Sequence, residues 1–150
     1  MLMENDKIYV GIAALFIKDN HVLLLRRSAS IYLSGTYCLP GGHVDGKETL
    51  RQAIAREVQE EVGLKIKPTD AQFIHVYHSY HATNAAKKEW LGFIFLITTW
   101  EGEPINMEPD KHDQLCWAPL DNLPGNIVKV HYDAIKAYRD NVYYLEHGWE

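Results

Sequence analysis

Cysteine is scarce in this chain: Cys38 and Cys116 stand far apart and form neither a Cys-x-x-Cys pair nor a zinc pattern. A pair this sparse fits a reducing compartment, with a disulfide between the two left open. Long apolar runs are missing as well. Ile8–Ile17 and Leu91–Ile97 are the longest, short of the roughly 20 residues a membrane helix needs, so no membrane partner is expected. The start, MLMENDKIYVG, has neither the basic nor the apolar region of a secretory signal, and the chain reads as cytoplasmic. Positive charge is in deficit, with 15 Lys and Arg against 20 Asp and Glu. No general attraction to a nucleic-acid polymer follows from that balance, and an anionic substrate would need a local basic site or bridging cations. Repeats, low-complexity tracts and linkers are absent, which leaves a single domain over residues 1–150, long enough to bury a core.

What is there is an alternation of strand and helix signals. Ile8–Ile17 and His21–Arg27 are β-branched or leucine-rich and flank Asp19-Asn20, the pattern of a hairpin. Tyr37–Leu39 reads as a short strand running into the turn-rich PGGHVDG, which is expected to be a loop. Thr49–Val62 has good helix formers at a period of 3.6, with Gly63 placed to end the helix. Ala71–Tyr80 and Glu89–Trp100 read as strands joined by a polar loop, His81–Lys88. Glu101–Asp113 reads as a loop, Leu115–Ala118 as a short strand, and Ile127 to Tyr144 as a second amphipathic helix. The order predicts an α/β (α+β) sandwich, with a mixed central sheet between helices.

The first helix carries REVQEEVG, in which Glu57, Glu60 and Glu61 crowd together. A helix turns about 100° per residue, so the apolar stripe of Leu50, Ala53, Ile54 and Val58 is centred about 40° from Glu57. Glu61 falls at about 40°, in the middle of that stripe, and Glu60 at about 60° on the other side. Solvated charges belong opposite the apolar face, where Gln52 and Gln59 lie. An inward carboxylate is costly unless it is paired or bound to a cation. A structural salt bridge to Arg56 or Lys47 is one reading. The other is a site for hard divalent cations such as Mg²⁺ or Mn²⁺, because no three basic residues are placed on that face.

Upstream of the helix lies Gly41-Gly42, which lets backbone approach a ligand closely. From Gly42 five residues lead to Glu48, seven more to Arg56-Glu57-Val58, one to Glu60-Glu61 and one to Gly63-Leu64. Every defined position of the Nudix box is matched over these residues, and the chain resembles the Nudix hydrolases, as does its order of elements. The resemblance implies a metal-dependent enzyme that cleaves a phosphoanhydride of a nucleoside diphosphate derivative, with Mg²⁺ or Mn²⁺ as cofactor. It makes Glu57, Glu60, Glu61 and the Gly41 carbonyl metal ligands. Glu57 is in addition a general-base candidate, and Arg56 a residue that orients Glu57 or Glu48. It also puts Leu39 and Gly42 at the substrate surface.

The substrate is read from weaker likenesses. Trp100–Pro104 resembles a segment of the MutT-type nucleoside triphosphate pyrophosphohydrolases, whose further metal ligand would be Glu108 here; a solvated acidic loop is the plain alternative. Asn126 resembles their purine-contacting asparagine, and an N-cap role for it stands beside that. Arg26 and Arg27 resemble the family's substrate-contacting pair, Arg27 the more closely; a strand end at the surface is the alternative. The leading expectation is hydrolysis of a (d)NTP to the monophosphate and pyrophosphate, with oxidised purines among the substrates. Tyr80 keeps a dinucleoside polyphosphate branch open, nucleotide sugars are a further alternative, and a non-catalytic nucleotide-binding module is the contrasting class. His75, His78 and His81 cannot all converge from one strand. The tryptophans, with Tyr138, Tyr143 and Tyr144, read as core or subunit contact, the last leaving a homodimer open.

Overall fold

The computed structural model describes residues 7–83 and 86–149. The acidic start, residues 1–6, and residues 84–85 of the expected polar loop lie outside the described residues. Strands β1 (Ile8–Lys18) and β2 (His21–Arg27) form the expected hairpin. Asp19 and Asn20 both take positive φ, at 51° and 61°, as a two-residue turn between right-twisted strands requires. β3 (Tyr37–Cys38) pairs with β2. The expected glycine loop begins instead as a strand, β4 (Gly41–His43), whose Gly41 and Gly42 pair antiparallel with Ala13 and Ile12.

Helix α1 (Leu50–Val62) is closed at both ends by the residues flanking it. The Thr49 hydroxyl accepts the Gln52 amide N–H at 3.0 Å, and the Gln52 side chain accepts that of Thr49 at 2.8 Å, a reciprocal capping box. Gly63, at φ 69°, ends the helix in the left-handed conformation.

β5 (Gln72–Thr83) and β6 (Ala86–Ile97) run on through most of the expected loop His81–Lys88, their pairing reaching Thr83 opposite Ala86. Polarity suggested a loop there, but paired strands can keep polar residues where they extend past the core. β7 (His112–Pro119) begins earlier than expected because its partner β2 offers pairing as far as Arg27. α2 (Lys129–Asp140) is shorter than the predicted span Ile127 to Tyr144 at both ends. Asn141 takes φ 56° and stops the helix. The β-branched and aromatic residues beyond it lead into a strand that was not expected, β8 (Tyr144–His147), parallel to β5.

The sheet runs β3-β2-β1-β6-β5-β8, with β4 added to β1 and β7 to β2. β1–β6 and β5–β8 are parallel and the other pairs antiparallel. Ile12, Ala14 and Phe16 pack with α1, while Ala13 and Leu15 pack with α2. Successive residues of β1 therefore serve opposite faces, which is why it is apolar without alternation. The result is the expected mixed sheet between helices. No helix among the described residues is long and apolar enough to cross a membrane.

Trp100 meets Phe16 edge-on at 5.3 Å and stacks on Trp117, so these two rings belong to the α1-side core. The histidines of β5 separate as expected. His75 is buried against the Val142 carbonyl, and His78 bonds Glu89 at 2.7 Å.

Candidate active site

The angular reading of α1 holds in three dimensions. Glu61 is 8% exposed, and the Glu57 side chain is 13% exposed against 53% for Glu60. Both inner carboxylates face β4. The Glu57 carboxylate lies directly over Gly42, where a Cβ would stand 2.5 Å from its Cδ. Only a glycine leaves that space.

A basic partner does share part of this face, which corrects the sequence expectation. Arg56 grips Glu48 with two bonds, Nε at 3.1 Å and a terminal nitrogen at 2.8 Å. Its other terminal nitrogen reaches Glu57 at 2.9 Å and Glu60 at 3.4 Å, and the guanidinium also donates to the His43 carbonyl at 3.1 Å. One planar fork thus ties α1 to the segment leading out of β4. The single charge is shared among Asp45, Glu48, Glu57 and Glu60, and it makes no bond to Glu61.

Arg56, together with the Asp45 amide N–H, holds the Glu48 carboxyl down at about 2. A depressed carboxylate contributes stability that is fully present above the ordinary value of 4.5 and is lost as pH falls through about 2. Glu48→Gln is therefore expected to lower stability at neutral pH and to flatten the acid-side decline across that window. Urea unfolding at a series of pH values measures this; an unchanged acid limb would show that the pairing contributes nothing.

Glu61 is in the opposite situation. Burial first, then the charges of Glu57 and Glu108, push its carboxyl up to about 8, opposed by a hydrogen bond from the Gly41 backbone and by Lys111. Burial also raises Glu57, and Arg56 only partly offsets it. These are carboxylates with too little positive charge around them.

Glu108 joins the cluster because its loop is tied to the end of α1. The Met107 and Ile105 amides donate to the carbonyls of Glu61 and Val62, both at 2.9 Å. Asn106 shapes the turn, accepting the Glu108 amide at 3.2 Å and donating to the His112 carbonyl at 2.6 Å. Glu108 itself pairs with Lys111 at 2.9 Å.

Beside Glu61 opens a cavity of about 160 Å³ whose lining includes Gly41, Gly42, Leu39, Arg27, Trp90 and His131. The arginine pair divides as strand alternation requires. Arg27 turns to the cavity, its Nε donating to the Tyr32 carbonyl at 2.6 Å. Arg26 lies outside that lining and pairs with Asp113 at 2.7 Å. Asn126 lies outside it too: its side chain donates to the Gly35 carbonyl at 2.9 Å, and the N-cap of α2 is Val128. Tyr80 stacks on Trp149 at 5.3 Å, away from the cavity.

Two lining residues were missed in the sequence: His131 was passed over, and Trp90 was read as core or subunit contact. His131 had a usable signal, since it falls four residues before Ile135 and seven before Tyr138, on the apolar stripe of α2. Like Glu57 and Glu61, it is a polar side chain turned toward the apolar face of its helix. Trp90 had none, being one aromatic in an apolar strand. In the fold it lines the cavity, stacking on Tyr9 at 5.0 Å, and its buried Nε1 has no hydrogen-bond partner among the described residues.

An acidic helix packed on a glycine strand in an α/β/α sandwich is the arrangement of a class of hydrolases that act on phosphoanhydrides. The model of the NUDIX domain matches residues 7–138, nearly the whole chain, and the protein belongs to that family. It is 28% identical over 120 residues to the 8-oxo-dGTP diphosphatase of Escherichia coli (strain K12), covering 79% of this chain and 88% of that protein. To an ADP-ribose pyrophosphatase of Methanocaldococcus jannaschii it is 29% identical over 131 residues, 87% of this chain and 71% of the other. Among solved structures, the MutT NUDIX hydrolase from Burkholderia pseudomallei superposes with a TM-score of 0.78 at 32% identity, covering 87% of this chain and 97% of that one. The match extends to Glu57, Glu60, Glu61 and Glu108 as parts of one domain but assigns no role to any of them.

Nudix hydrolases generally use divalent metal ions, and the residues present suit one. Among the described residues no three carboxylate, imidazole or thiol side chains stand together as a closed ligand set. What they offer is three neighbouring carboxylates of which Glu57 is bonded to Arg56 and Glu108 to Lys111, while Glu61 is buried between them with its carboxyl raised and no basic side chain bonded to it among the described residues. That fits a small hard cation, which keeps several waters and takes only one or two carboxylates beside substrate phosphates.

Proposed function

We propose that the protein hydrolyses a nucleoside triphosphate or deoxynucleoside triphosphate to the monophosphate and pyrophosphate, oxidised purine nucleotides included, with Mg²⁺ or Mn²⁺. The observation that carries this is the Glu61 carboxyl, raised by burial and then by its acidic neighbours and facing the same cavity as Arg27. Carboxylates in excess at one side and a guanidinium at the other match a polyanion bound through cations.

Glu57, Glu60, Glu61, Glu108 and the Gly41 carbonyl would hold the ions. A bound divalent cation neutralises phosphate oxygens and acidifies water. Glu57, its proton affinity raised by burial, accepts the proton of the attacking water. Arg56 fixes the rotamer of Glu57 and, through Glu48, the segment beside it. Arg27 binds a phosphate oxygen, and Leu39 and Gly42 shape the wall against which the substrate lies.

The diphosphatase relatives support the triphosphate reading, and the ADP-ribose pyrophosphatase relative supports a nucleoside diphosphate derivative as the second. A substrate panel with Mg²⁺ separates them: dNTPs, oxidised dNTPs, ADP-ribose, nucleotide sugars and diadenosine polyphosphates, with products identified. Pyrophosphate released from a dNTP is the expected result. AMP from ADP-ribose, or AMP plus ATP from a diadenosine substrate, with dNTPs untouched, would replace it; no turnover of any of these would favour a binding module. Residues 1–150 form one domain in this reading. The unpaired Cys38 and Cys116 are in keeping with a cytoplasmic setting, and exposed Tyr143 and Tyr144 beside the edge strand β8 with a homodimer.

A further inference from the structure

His131 lies in the first turn of α2, and its ring lines the cavity that Glu61 and Arg27 share. Its Nδ1 is 3.1 Å from the backbone nitrogen of Leu39, which donates to it. A neutral imidazole has one donor and one acceptor nitrogen, so with Nδ1 accepting, the proton sits on Nε2. Burial and the nearby Arg27 guanidinium hold the ring neutral, with its pKa lowered to about 4. The cavity is thereby given an N–H donor of one fixed tautomer, unchanged across the physiological pH range.

The surroundings say what that donor suits. Arg27 carries a permanent positive charge in the same lining, and the first turn of α2 adds the partial positive charge of a helix start. Glu61 lies on the other wall, so negative charge on a ligand is divided between the cations held there and this donor pair. An anionic oxygen fits between Arg27 and His131 better than a neutral base edge.

We infer that His131 is a substrate-binding residue, its Nε2–H donating to a non-bridging oxygen of the phosphate that stays on the nucleotide, beside Arg27. This rests on the nucleotide-hydrolase reading above. The bond to Leu39 gives the ring a second, structural role, because Leu39 leads through Pro40 into the glycines of β4. The two roles use different nitrogens, and substitutions can part them. Asparagine places a carbonyl oxygen where Nδ1 accepts but cannot reach the cavity; glutamine places an amide N–H where Nε2 donates.

The chain of residues 1–150 is titrated by NMR and calorimetry with dGMP, and with deoxyguanosine as the probe lacking phosphate. His131→Asn is expected to weaken dGMP binding about tenfold or more, to leave the thermal midpoint and deoxyguanosine binding unchanged, and to raise KM more than it lowers kcat. His131→Gln is expected to recover part of the dGMP affinity. Wild-type affinity for dGMP in His131→Asn overturns the inference, as does an equal loss of both probes. Should the asparagine variant not fold, the imidazole ¹⁵N resonances of the wild type decide. The Nε2 signal of His131 moves on adding dGMP if the bond forms, and an unmoved signal overturns it. Wild-type protein that neither binds dGMP nor turns over any nucleotide counts against the nucleotide reading itself, whereas wild-type binding with indifferent variants removes only the role of His131.

Discussion

Glu57→Gln and Glu61→Gln are each expected to lower turnover of a nucleoside triphosphate by about 10²- to 10⁴-fold, the range for removing a group that handles the proton or its equivalent. The fold should survive both. Glutamine keeps the shape of each side chain, and the core beneath is built from Ala53, Ile54, Val58 and Val62. The stability effects should differ. Glu57 holds a bond to Arg56 at 2.9 Å, so its loss removes a charge-assisted contact. Glu61 has no bond to a guanidinium, and its charge is opposed by burial and by Glu57 and Glu108. Neutralising it should leave the metal-free protein as stable as the wild type or more so. A variant that gains stability while losing turnover marks a carboxylate kept for chemistry rather than for folding. Thermal unfolding beside steady-state kinetics measures both; wild-type hydrolysis by the two variants would sink the assignment of this helix.

Much of this was legible because the signals are local. The period of α1 and its Gly63 stop are written in one short local stretch, Thr49–Gly63, and the hairpin turn in Asp19-Asn20, whereas the role of Thr49 as cap rather than first helical residue came with the fold. What could not be read depended on distant partners. Gly41 and Gly42 look like a loop until β1 is there to pair with them. His112 and Asp113 look like the end of a loop until β2 supplies an edge, and Tyr144 looks like the tail of α2 until β5 does. Pairing energy comes from the neighbour, so a polar or glycine-rich segment gives little notice of it.

The site divides along the same line. Side-chain direction on one helix located Glu57 and Glu61, since rotation about an axis needs no tertiary information. Arg56 was expected to orient Glu57 or Glu48; the fold has it hold both and Glu60 as well, which only the approach of β4 and its following segment makes possible. Arg26 and Arg27 could be told apart by alternation alone once one face was assigned. His131 is the instructive omission: its polar ring on an apolar stripe was as visible as Glu61, but histidine is often satisfied in a core, and the Leu39 bond that fixes its tautomer spans 92 positions in sequence.

Gly42→Ala is the substitution that isolates the position of the Glu57 carboxylate from everything else. A Cβ at residue 42 would stand 2.5 Å from Glu57 Cδ and 2.6 Å from both of its oxygens. Those atoms are the far end of a flexible side chain, so the carboxylate moves aside and the backbone stays. At Gly41 a Cβ would stand 2.1 Å from the Ile12 carbonyl oxygen and 2.7 Å from the Ala13 Cα, atoms that move only if β4 leaves β1. Gly41→Ala is therefore expected to cost stability first. Gly42→Ala is expected to keep most of the thermal midpoint while kcat falls about 10²-fold, the cost of misplacing a reacting group by about an ångström. Kinetics and unfolding on the two alanine variants separate these effects. If Gly42→Ala turns over at the wild-type rate, the site of the Glu57 carboxylate does not matter to the reaction, and the proton must go to another of the clustered glutamates.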